Sequence, residues 1–265
     1  MTQPPTPKKS LGQHWLNDKK TLDNICSIAR LSKDDVALEI GPGLGSLTEL
    51  LLKQAGSVVA VELDNMLSAR LKATFNTDKL TIINESILTF DLTSLPTKYK
   101  VVANIPYYLT SNLLRVLSES SNPPELIVLL IQKEVAERVA AAPGDMSLLS
   151  VTTQFYWEVK LGDIVPAIMF TPPPKVDSQI ILLERRKKVL FPGVEIDLFF
   201  RIVKFGYSSR RKTILNSLAS GLRIDKQATK EVLNEAKVDT NARPQTLSLD
   251  EWHDIYEVCL TRKLI

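Results

Sequence analysis

The stretch that decides the fold is VALEIGPGLGSLTE, residues 36–49. An apolar run suited to a buried strand ends in three glycines at alternate positions, and a helical pattern follows at once. Ser46, with Glu49 three residues later, predicts a capping box at the start of that helix. Because glycine has no Cβ, a strand, a glycine turn and a helix N-terminus in this order let the backbone approach a ligand closely.

The spacing of the glycines differs from that of a dinucleotide-binding turn. That turn has the pattern G-x-G-x-x-G, whereas Gly41, Gly43 and Gly45 alternate. The next apolar run ends in Glu62, about 20 residues after the first glycine, where such folds place a carboxylate on ribose hydroxyls. A nucleoside-containing cofactor is therefore favoured over a tight turn without a ligand, and the glycines alone leave the choice of cofactor open.

The composition is that of an ordinary globular protein. Of the 265 residues, 44% are hydrophobic and 24% are charged. The longest strongly apolar run, residues 126–131, is too short to cross a membrane, and no signal-peptide pattern opens the chain. Since Cys26 and Cys259 stand far apart, we expect no disulfide framework, no zinc cluster or other metal, and a cytoplasmic protein.

Strand and helix patterns alternate from residue 36 to residue 141, which predicts an α/β fold with a doubly wound parallel sheet. Right-handed crossovers would bring the carboxyl ends of the strands to one rim of the sheet. That rim would hold the glycine turn, Glu62, and the residues after Asn84 and Ala103. Ligands bind at this rim in open α/β sheets.

The chain divides into three predicted parts. Residues 1–17 are expected to form a flexible arm that contacts cofactor or RNA, because a proline-rich start precedes a mixed polar and aromatic segment. Residues 18–190 would form the cofactor-binding domain, with a final strand pair over 157–166 and 178–184. Residues 191–265 lose the alternation and predict a small, all-helical RNA-binding domain.

A basic segment lies within the helical part. Between residues 199 and 224 the chain has Lys and Arg but neither Asp nor Glu, and such a local excess indicates an anionic partner. A solvated helix face is the alternative interpretation. The candidate RNA-binding residues are Arg201, Lys204, Arg210, Arg211 and Lys212.

The segment Asn104-Ile105-Pro106-Tyr107 follows a predicted strand and resembles the Asn-Pro-Pro-Tyr-type signature of methyltransferases that act on nucleobase amino groups. Together with other segments it makes the chain similar to the ribosomal RNA adenine dimethyltransferase family, especially its bacterial small-subunit members. The other segments are the glycine turn, Glu62, residues 9–16 (KSLGQHWL), residues 170–178 (FTPPPKVDS) and residues 210–213 (RRKT). The resemblance spans residues 8–260.

This resemblance implies a Rossmann-like class I methyltransferase sheet and S-adenosylmethionine as the cofactor. The implied reaction is dimethylation of the N6 amino groups of two adjacent adenosines near the 3′ end of small-subunit (16S) rRNA. The implied partner is that rRNA within the 30S precursor particle, which gives the chain a role in ribosome biogenesis. We expect a monomer.

Catalysis by such an enzyme depends on a poorly nucleophilic amino group, because the lone pair of an adenine amine is delocalised into the ring. The side-chain oxygen of Asn104 and the carbonyl of Ile105 would accept the two amino hydrogens and aim the lone pair at the methyl group. Pro106 fixes its own φ and restricts Ile105. The target base must leave its stack, and Tyr107 and Phe170 would hold its two faces.

The cofactor contacts also follow from the resemblance. Glu62 would accept from the ribose hydroxyls, Gly41 and Gly43 would pass close to the amino-acid end, and Glu39 would take the ammonium or hold a structural hydrogen bond. The remaining predicted contacts are His14, Leu16, Ser86 and Asn104.

Two of these positions depart from the family pattern. The family more often has Asn where this chain has His14. It usually has Asp after the third strand, where this chain has Ser86, and an uncharged hydroxyl makes a weaker hydrogen bond than a carboxylate. The adenine contact is therefore expected from Ser86 or from the neighbouring Glu85.

Three alternatives stay open from the sequence. A large-subunit rRNA adenine methylase of the antibiotic-resistance type shares the motifs, and a nicotinamide-dependent oxidoreductase shares the strand, the turn and the acid. A non-catalytic RNA-binding ribosome assembly factor could keep the fold without the activity. The glycine spacing and the Asn104 to Tyr107 segment count against the oxidoreductase.

Overall fold

The computed structural model describes residues 5–209 and 211–265, apart from the side chain of Lys9. It divides the chain into two compact units. The first unit takes in the chain up to Ala136 together with Trp157–Arg185, and it contains the β-sheet. The second unit takes in Glu137–Tyr156 together with Arg186–Ile265, and it is helical.

The first unit contains a seven-stranded sheet in the order β4-β3-β2-β5-β6-β9-β7 and a separate two-stranded pair of β1 with β8. The strands are β1 (Trp15–Leu16), β2 (Val36–Ile40), β3 (Ser57–Val61), β4 (Leu80–Ile83), β5 (Lys100–Asn104), β6 (Leu126–Gln132), β7 (Trp157–Val165), β8 (Phe170–Thr171) and β9 (Ser178–Arg185).

Five of the seven strands are parallel. Parallel pairing joins β4 to β3, β3 to β2, β2 to β5 and β5 to β6, whereas β9 is antiparallel to both β6 and β7. The predicted α/β, doubly wound class is thus confirmed, with an antiparallel edge added to the parallel sheet. The carboxyl ends of β2, β3, β4 and β5 meet at one rim, which is where the predicted site residues follow.

The helices mostly lie between strands in the first unit and follow one another in the second. They are α1 (Lys19–Ala29), α2 (Ser46–Gln54), α3 (Asn65–Thr74), α4 (Thr110–Glu119), α5 (Lys133–Val139), α6 (Leu148–Gln154), α7 (Ile196–Gly206), α8 (Ile214–Leu222), α9 (Lys226–Glu235) and α10 (Leu249–Thr261). In the described ranges, none of these helices combines the length and apolar character needed to span a bilayer.

Helix α2 begins from a glycine and not from a capping box. Gly45 occupies the N-cap with φ +87°, and no side chain caps the helix. A Cβ at residue 45 would lie 2.6 Å from Cε2 of Phe75, so a larger residue would collide with a ring as well as adopt an unfavourable φ. The predicted capping box of Ser46 and Glu49 is wrong, because Ser46 is already the first helical residue.

Both faces of the sheet are covered. Residues 126–131 of β6 are all buried, although successive side chains of a strand point to opposite faces. One face carries a core to which α1 contributes Ile25, α2 contributes Leu51 and β6 contributes Val128. Such a continuous apolar strand is typical of a parallel sheet buried on both sides.

The helical unit is organised around aromatic side chains. Phe155, just after α6, lies 5.1 Å from Phe199 and 5.1 Å from Phe200 of α7, measured between ring centroids. Trp252 of α10 is buried in the same core. Residues 137–156 therefore belong to this unit, whereas the sequence pattern predicts them as part of the domain over 18–190.

Candidate functional site

A pocket opens at the carboxyl ends of β2, β3 and β5 in the first unit. Its walls come from the N-terminal arm, the glycine turn, the segments after three strands, and β8. Every residue predicted as a cofactor contact or as catalytic lines this pocket: His14, Leu16, Glu39, Gly41, Gly43, Glu62, Ser86, Asn104, Pro106, Tyr107 and Phe170. Residues far apart in sequence meet here because parallel strands end at one rim.

The glycine turn and Glu62 form one hydrogen-bonded unit. Gly41 and Gly43 have φ of +64° and +59°, a region that glycine enters without strain. The backbone N–H of Gly43 donates to Glu62 Oε2 at 3.1 Å, and the N–H of Asp64 donates to Glu62 Oε1 at 2.8 Å. Burial raises the pKa of Glu62, and these backbone donors oppose that shift. The carboxylate is therefore held in a fixed direction at the end of β3.

Glu39 is a buried acid on β2 beside the turn. Burial raises the pKa of its carboxyl to about 8, hydrogen bonds with Thr48 oppose that shift, and the nearby Glu62 raises the pKa further. Its Oε2 has no hydrogen-bond partner in the described chain, and neither does the indole nitrogen of Trp15, another lining residue. An unsatisfied acceptor and an unsatisfied donor in one pocket fit a ligand that carries both kinds of polar group.

Asn104 ends β5 and faces the N-terminal arm. Its Nδ2 donates to the backbone oxygen of His14 at 3.4 Å, which orients the amide, and the acceptor of that amide is Oδ1. Pro106 has φ −58° and ψ 133°, and a 3₁₀ turn over Tyr107–Leu109 follows. The proline thus fixes the path of the chain between the amide and the aromatic ring.

Tyr107 presents a ring to the pocket and is held at its hydroxyl. Its Oη lies 2.8 Å from Oγ of Ser178, and burial raises the pKa of the phenol. The His14 ring lies nearly parallel to the Tyr107 ring, with centroids 6.1 Å apart and an angle of 20°. Phe170 lines the pocket too, and it packs in the same core as Leu16.

The N-terminal arm, predicted over residues 1–17, makes specific contacts with the rest of the first unit from Lys8 onward. Trp15 and Leu16 pair with Thr171 and Phe170, and His14 Nδ1 lies 2.8 Å from the backbone oxygen of Pro172. Since a carbonyl oxygen only accepts, Nδ1 carries the proton. These contacts hold the arm against β8, and the flexibility predicted for residues 1–17 stays a prediction.

A second anchor of the arm is Asp64, which sequence reasoning missed. Lys8 Nζ lies 2.9 Å from Asp64 Oδ2, and Gln13 Nε2 donates to the same oxygen at 3.2 Å. Burial opposes ionisation of Asp64, but hydrogen bonds from Lys8, Gln13 and the N–H of Met66 outweigh it and lower its pKa. The one available signal was its position as an N-cap before α3, which explains only the contact with Met66.

We expect Asp64→Asn to loosen the arm without unfolding α3. Asn is a good N-cap, so the helix keeps its cap, whereas the ion pair with Lys8 is lost. Amide hydrogen exchange of residues 8–16 should rise by about two- to fivefold, the range of a partly exposed ion pair. Asp225→Asn, at the N-cap of α9, is the matched control. Unchanged exchange in Asp64→Asn would show that Asp64 does not anchor the arm.

Two neighbouring residues are predicted to contact the adenine ring of the cofactor. Ser86 and Glu85 both line the pocket. Ser86 Oγ accepts from the N–H of Leu88 at 3.3 Å, and Glu85 Oε1 accepts from the hydroxyl of Thr89 at 3.1 Å. Each side chain is thus held beside the pocket by a local contact.

The predicted RNA-binding residues lie in the helical unit. Arg201 and Lys204 are exposed on α7, one turn apart, and Arg211 and Lys212 are exposed just before α8. Arg210 lies outside the described residues. Among the described residues, no group of three or more His, Cys, Asp or Glu side chains is arranged to hold a metal ion.

A sheet of this order, with a glycine turn after β2, an acid after β3 and Asn-Ile-Pro-Tyr after β5, defines a Rossmann-like S-adenosylmethionine-dependent methyltransferase. The sequence pattern of the family described as "Ribosomal RNA adenine dimethylase" matches residues 6–259. The chain belongs to this family.

Individual relatives agree with that assignment. The ribosomal RNA small subunit methyltransferase A of Dehalococcoides mccartyi is 42% identical over 249 residues, covering 92% of this chain and 86% of that protein. The structure of a dimethyladenosine transferase from Plasmodium falciparum matches with a TM-score of 0.80 and 25% identity, over 94% of this chain and 98% of that one. The 23S rRNA methyltransferase ErmE matches with a TM-score of 0.75 and 28% identity, over 92% and 98%.

Proposed function

We propose that this chain uses S-adenosylmethionine to dimethylate the N6 amino groups of two adjacent adenosines near the 3′ end of small-subunit (16S) rRNA. The observation that carries the proposal is the placement of Asn104 and Tyr107 in the same pocket as the glycine turn and Glu62. The name of the Dehalococcoides mccartyi relative supports the small subunit as the source of the RNA. We further propose that the protein acts in ribosome biogenesis, in the cytoplasm and as a monomer.

The 23S rRNA methyltransferase ErmE is the reason to keep a second candidate, since its structure covers nearly the whole chain. A large-subunit adenine methylase would use the same pocket chemistry. The higher identity to a small-subunit methyltransferase, 42% against 28%, favours the small subunit.

The pocket fits the cofactor in its distribution of polar groups. Glu62, held by two backbone N–H donors, would accept from the ribose hydroxyls. Gly41 and Gly43 would let the backbone approach the amino-acid end, and the unsatisfied Oε2 of Glu39 would take the ammonium. The remaining contacts would come from His14, Leu16, Ser86 and Asn104.

When bound, S-adenosylmethionine supplies an electrophilic methyl group on a sulfonium centre, so the protein mainly positions the reactants. Asn104 Oδ1 and the Ile105 carbonyl would each accept one hydrogen of the adenine amino group. This arrangement favours a pyramidal nitrogen whose lone pair points along the transfer direction. Correct alignment is worth about 7–11 kcal/mol in such reactions. A strong base is unnecessary, because the amino proton becomes acidic as the nitrogen is alkylated.

The extruded adenine would be held by rings. Tyr107 would stack on one face and Phe170 would close the other, each contact contributing roughly 1–3 kcal/mol. Phe170 is only 3% exposed and lines the pocket, so packing already fixes the position of its ring.

The raised pKa of Glu39 predicts a pH-dependent cofactor affinity. Its carboxyl is protonated well below its pKa of about 8, so binding of an ammonium must release a proton. The association constant should therefore rise with pH, by up to about tenfold per unit between roughly pH 5.5 and 7. Calorimetry in buffers of different ionisation enthalpy measures the released proton. Glu39→Gln should abolish both the slope and the release, and a wild-type affinity independent of pH would contradict the ammonium contact.

The helical unit would bind the RNA through phosphate contacts, which set affinity and its salt dependence but do not select the base. We expect the double charge reversal of Arg211 and Lys212 to Glu to weaken RNA binding. The slope of log K against log salt should also fall by about 0.7–0.9 for each phosphate that the variant no longer neutralises. Lys226 and Lys230, exposed on α9, give a control with the same charge change. Equal slopes for the two double variants would show that Arg211 and Lys212 do not contact the RNA.

The function itself is tested by transfer of tritiated methyl groups. Small and large ribosomal subunits from cells lacking the protein are incubated separately with the purified chain. We expect label only in the small subunit, with mass spectrometry locating two dimethylated adenosines near the 3′ end. Label in the large subunit instead would favour the second candidate, and no label in either would overturn the proposal.

A further inference from the structure

Ser178 is a buried residue whose hydroxyl contacts the hydroxyl of Tyr107, a residue that lines the pocket. It is the first residue of β9, and it pairs with Gln132 of β6 and Val165 of β7. Its exposure is 0%. A residue that lies between two neighbouring strands has a fixed backbone, so its side chain is a rigid point of attachment.

The group attached to this point is the hydroxyl of Tyr107, at 2.8 Å. The ring of Tyr107 is half-buried and follows Pro106 in a 3₁₀ turn. The turn fixes the Cα end of the side chain, and the hydrogen bond fixes the opposite end. With both ends held, the direction of the ring is determined, whereas a phenylalanine at 107 would lose the constraint at its far end.

We propose that Ser178 is a positioning residue that holds the Tyr107 ring in the plane on which the target adenine stacks. The inference rests on the proposed stacking role of Tyr107. Stacking depends on the orientation of the two rings, and a misaligned base places its amino nitrogen off the transfer direction. Ser178 thus acts on the base through Tyr107 and has no contact with the cofactor in this scheme.

The structure contains a matched control for this contact. Ser118 Oγ accepts from the indole N–H of Trp157 at 2.8 Å, and both residues are buried. This is also a hydrogen bond between a buried serine and an aromatic side chain, but neither residue lines the pocket. Ser118→Ala, which also removes the bond that Ser118 Oγ donates to the Leu114 carbonyl, therefore reports the effect on the fold of losing a buried serine hydroxyl away from the pocket.

The test is a double-mutant cycle of Ser178→Ala and Tyr107→Phe, each of which removes the same bond from one side. We expect each single variant to lower kcat by about three- to tenfold, the range for one hydrogen bond, and the double variant to lower it no further. The KM for S-adenosylmethionine should stay unchanged. If the two effects multiply instead, the serine does not act through the tyrosine and the inference is overturned.

A second readout follows stacking directly. An RNA oligonucleotide from the 3′ region of 16S rRNA carries 2-aminopurine at the target position, and its fluorescence reports stacking in the pocket. Ser178→Ala and Tyr107→Phe should each change the signal of the bound probe, and Ser118→Ala should not. If Tyr107→Ala leaves the signal unchanged, the proposed stacking role fails. If Tyr107→Ala changes it and Ser178→Ala does not, only the role of Ser178 fails.

Discussion

Replacing Asn104 with Ala should reduce methyl transfer by about 10²–10³-fold, the loss typical of removing one preorganised hydrogen-bonding group from a transition state. The reason is that Oδ1 of Asn104 would aim the adenine lone pair, a contact that matters most as the nitrogen becomes pyramidal. Single-turnover transfer of a tritiated methyl group measures the rate. Titration calorimetry should show a dissociation constant for S-adenosylmethionine within about tenfold of the wild-type value.

Two further variants test whether the loss of rate comes from the missing acceptor of Asn104. Asn104→Asp keeps an acceptor but loses the donor that contacts His14 at 3.4 Å, so an intermediate rate is expected. Asn24→Ala removes an amide that donates to Asp163 at 2.8 Å, away from the pocket, and should leave the rate unchanged. A loss of cofactor affinity as large as the loss of rate would mean that Asn104 mainly holds the cofactor.

Replacing Glu62 with Ala should have the opposite signature, a loss of cofactor affinity of at least about a hundredfold. Two hydroxyls donating to a carboxylate each contribute roughly 1.5–3 kcal/mol. The substitution also leaves the N–H groups of Gly43 and Asp64 without their carboxylate acceptor. Thermal unfolding must therefore be measured beside the binding titration.

Glu62→Gln is the control that separates charge from shape. It keeps an acceptor oxygen and most of the volume, so its loss of affinity should lie between those of the unchanged protein and Glu62→Ala. At saturating S-adenosylmethionine, the transfer rate of Glu62→Ala should stay within about tenfold of the original. An unchanged dissociation constant for S-adenosylmethionine would show that Glu62 does not bind the cofactor.

Much of the fold could be predicted because its signals are local. An apolar run, a glycine turn and a helical pattern lie within residues 36–49, and the observed β2 and α2 lie where these patterns predict a strand and a helix. The meeting of the glycine turn, Glu62 and Asn104 at one rim follows from the right-handed crossover. For that reason the pocket contains the predicted residues that lie at the carboxyl ends of β2 to β5, whereas His14, Leu16 and Phe170 reach it beside the pairing of β1 with β8.

The N-cap of α2 and the extent of the helical unit were not predictable in the same way. Ser46 and Glu49 have the pattern of a capping box, but the Phe75 ring packs where a Cβ at residue 45 would lie. Residues 137–156 follow the alternating part of the chain, yet Phe155 finds its partners in Phe199 and Phe200. In both cases packing against a distant ring outweighed the local pattern.

The sequence alone determined the alternation of strands and helices, the cofactor turn and the identity of the groups in the pocket, since each depends on neighbouring residues and a general handedness rule. Only the tertiary structure decided how those groups are held. The bonds of Tyr107 to Ser178 and of Lys8 to Asp64 join residues with no periodic relation in sequence. Such contacts exist because separate strands and loops pack side by side, and side-chain patterns along one element carry no information about them.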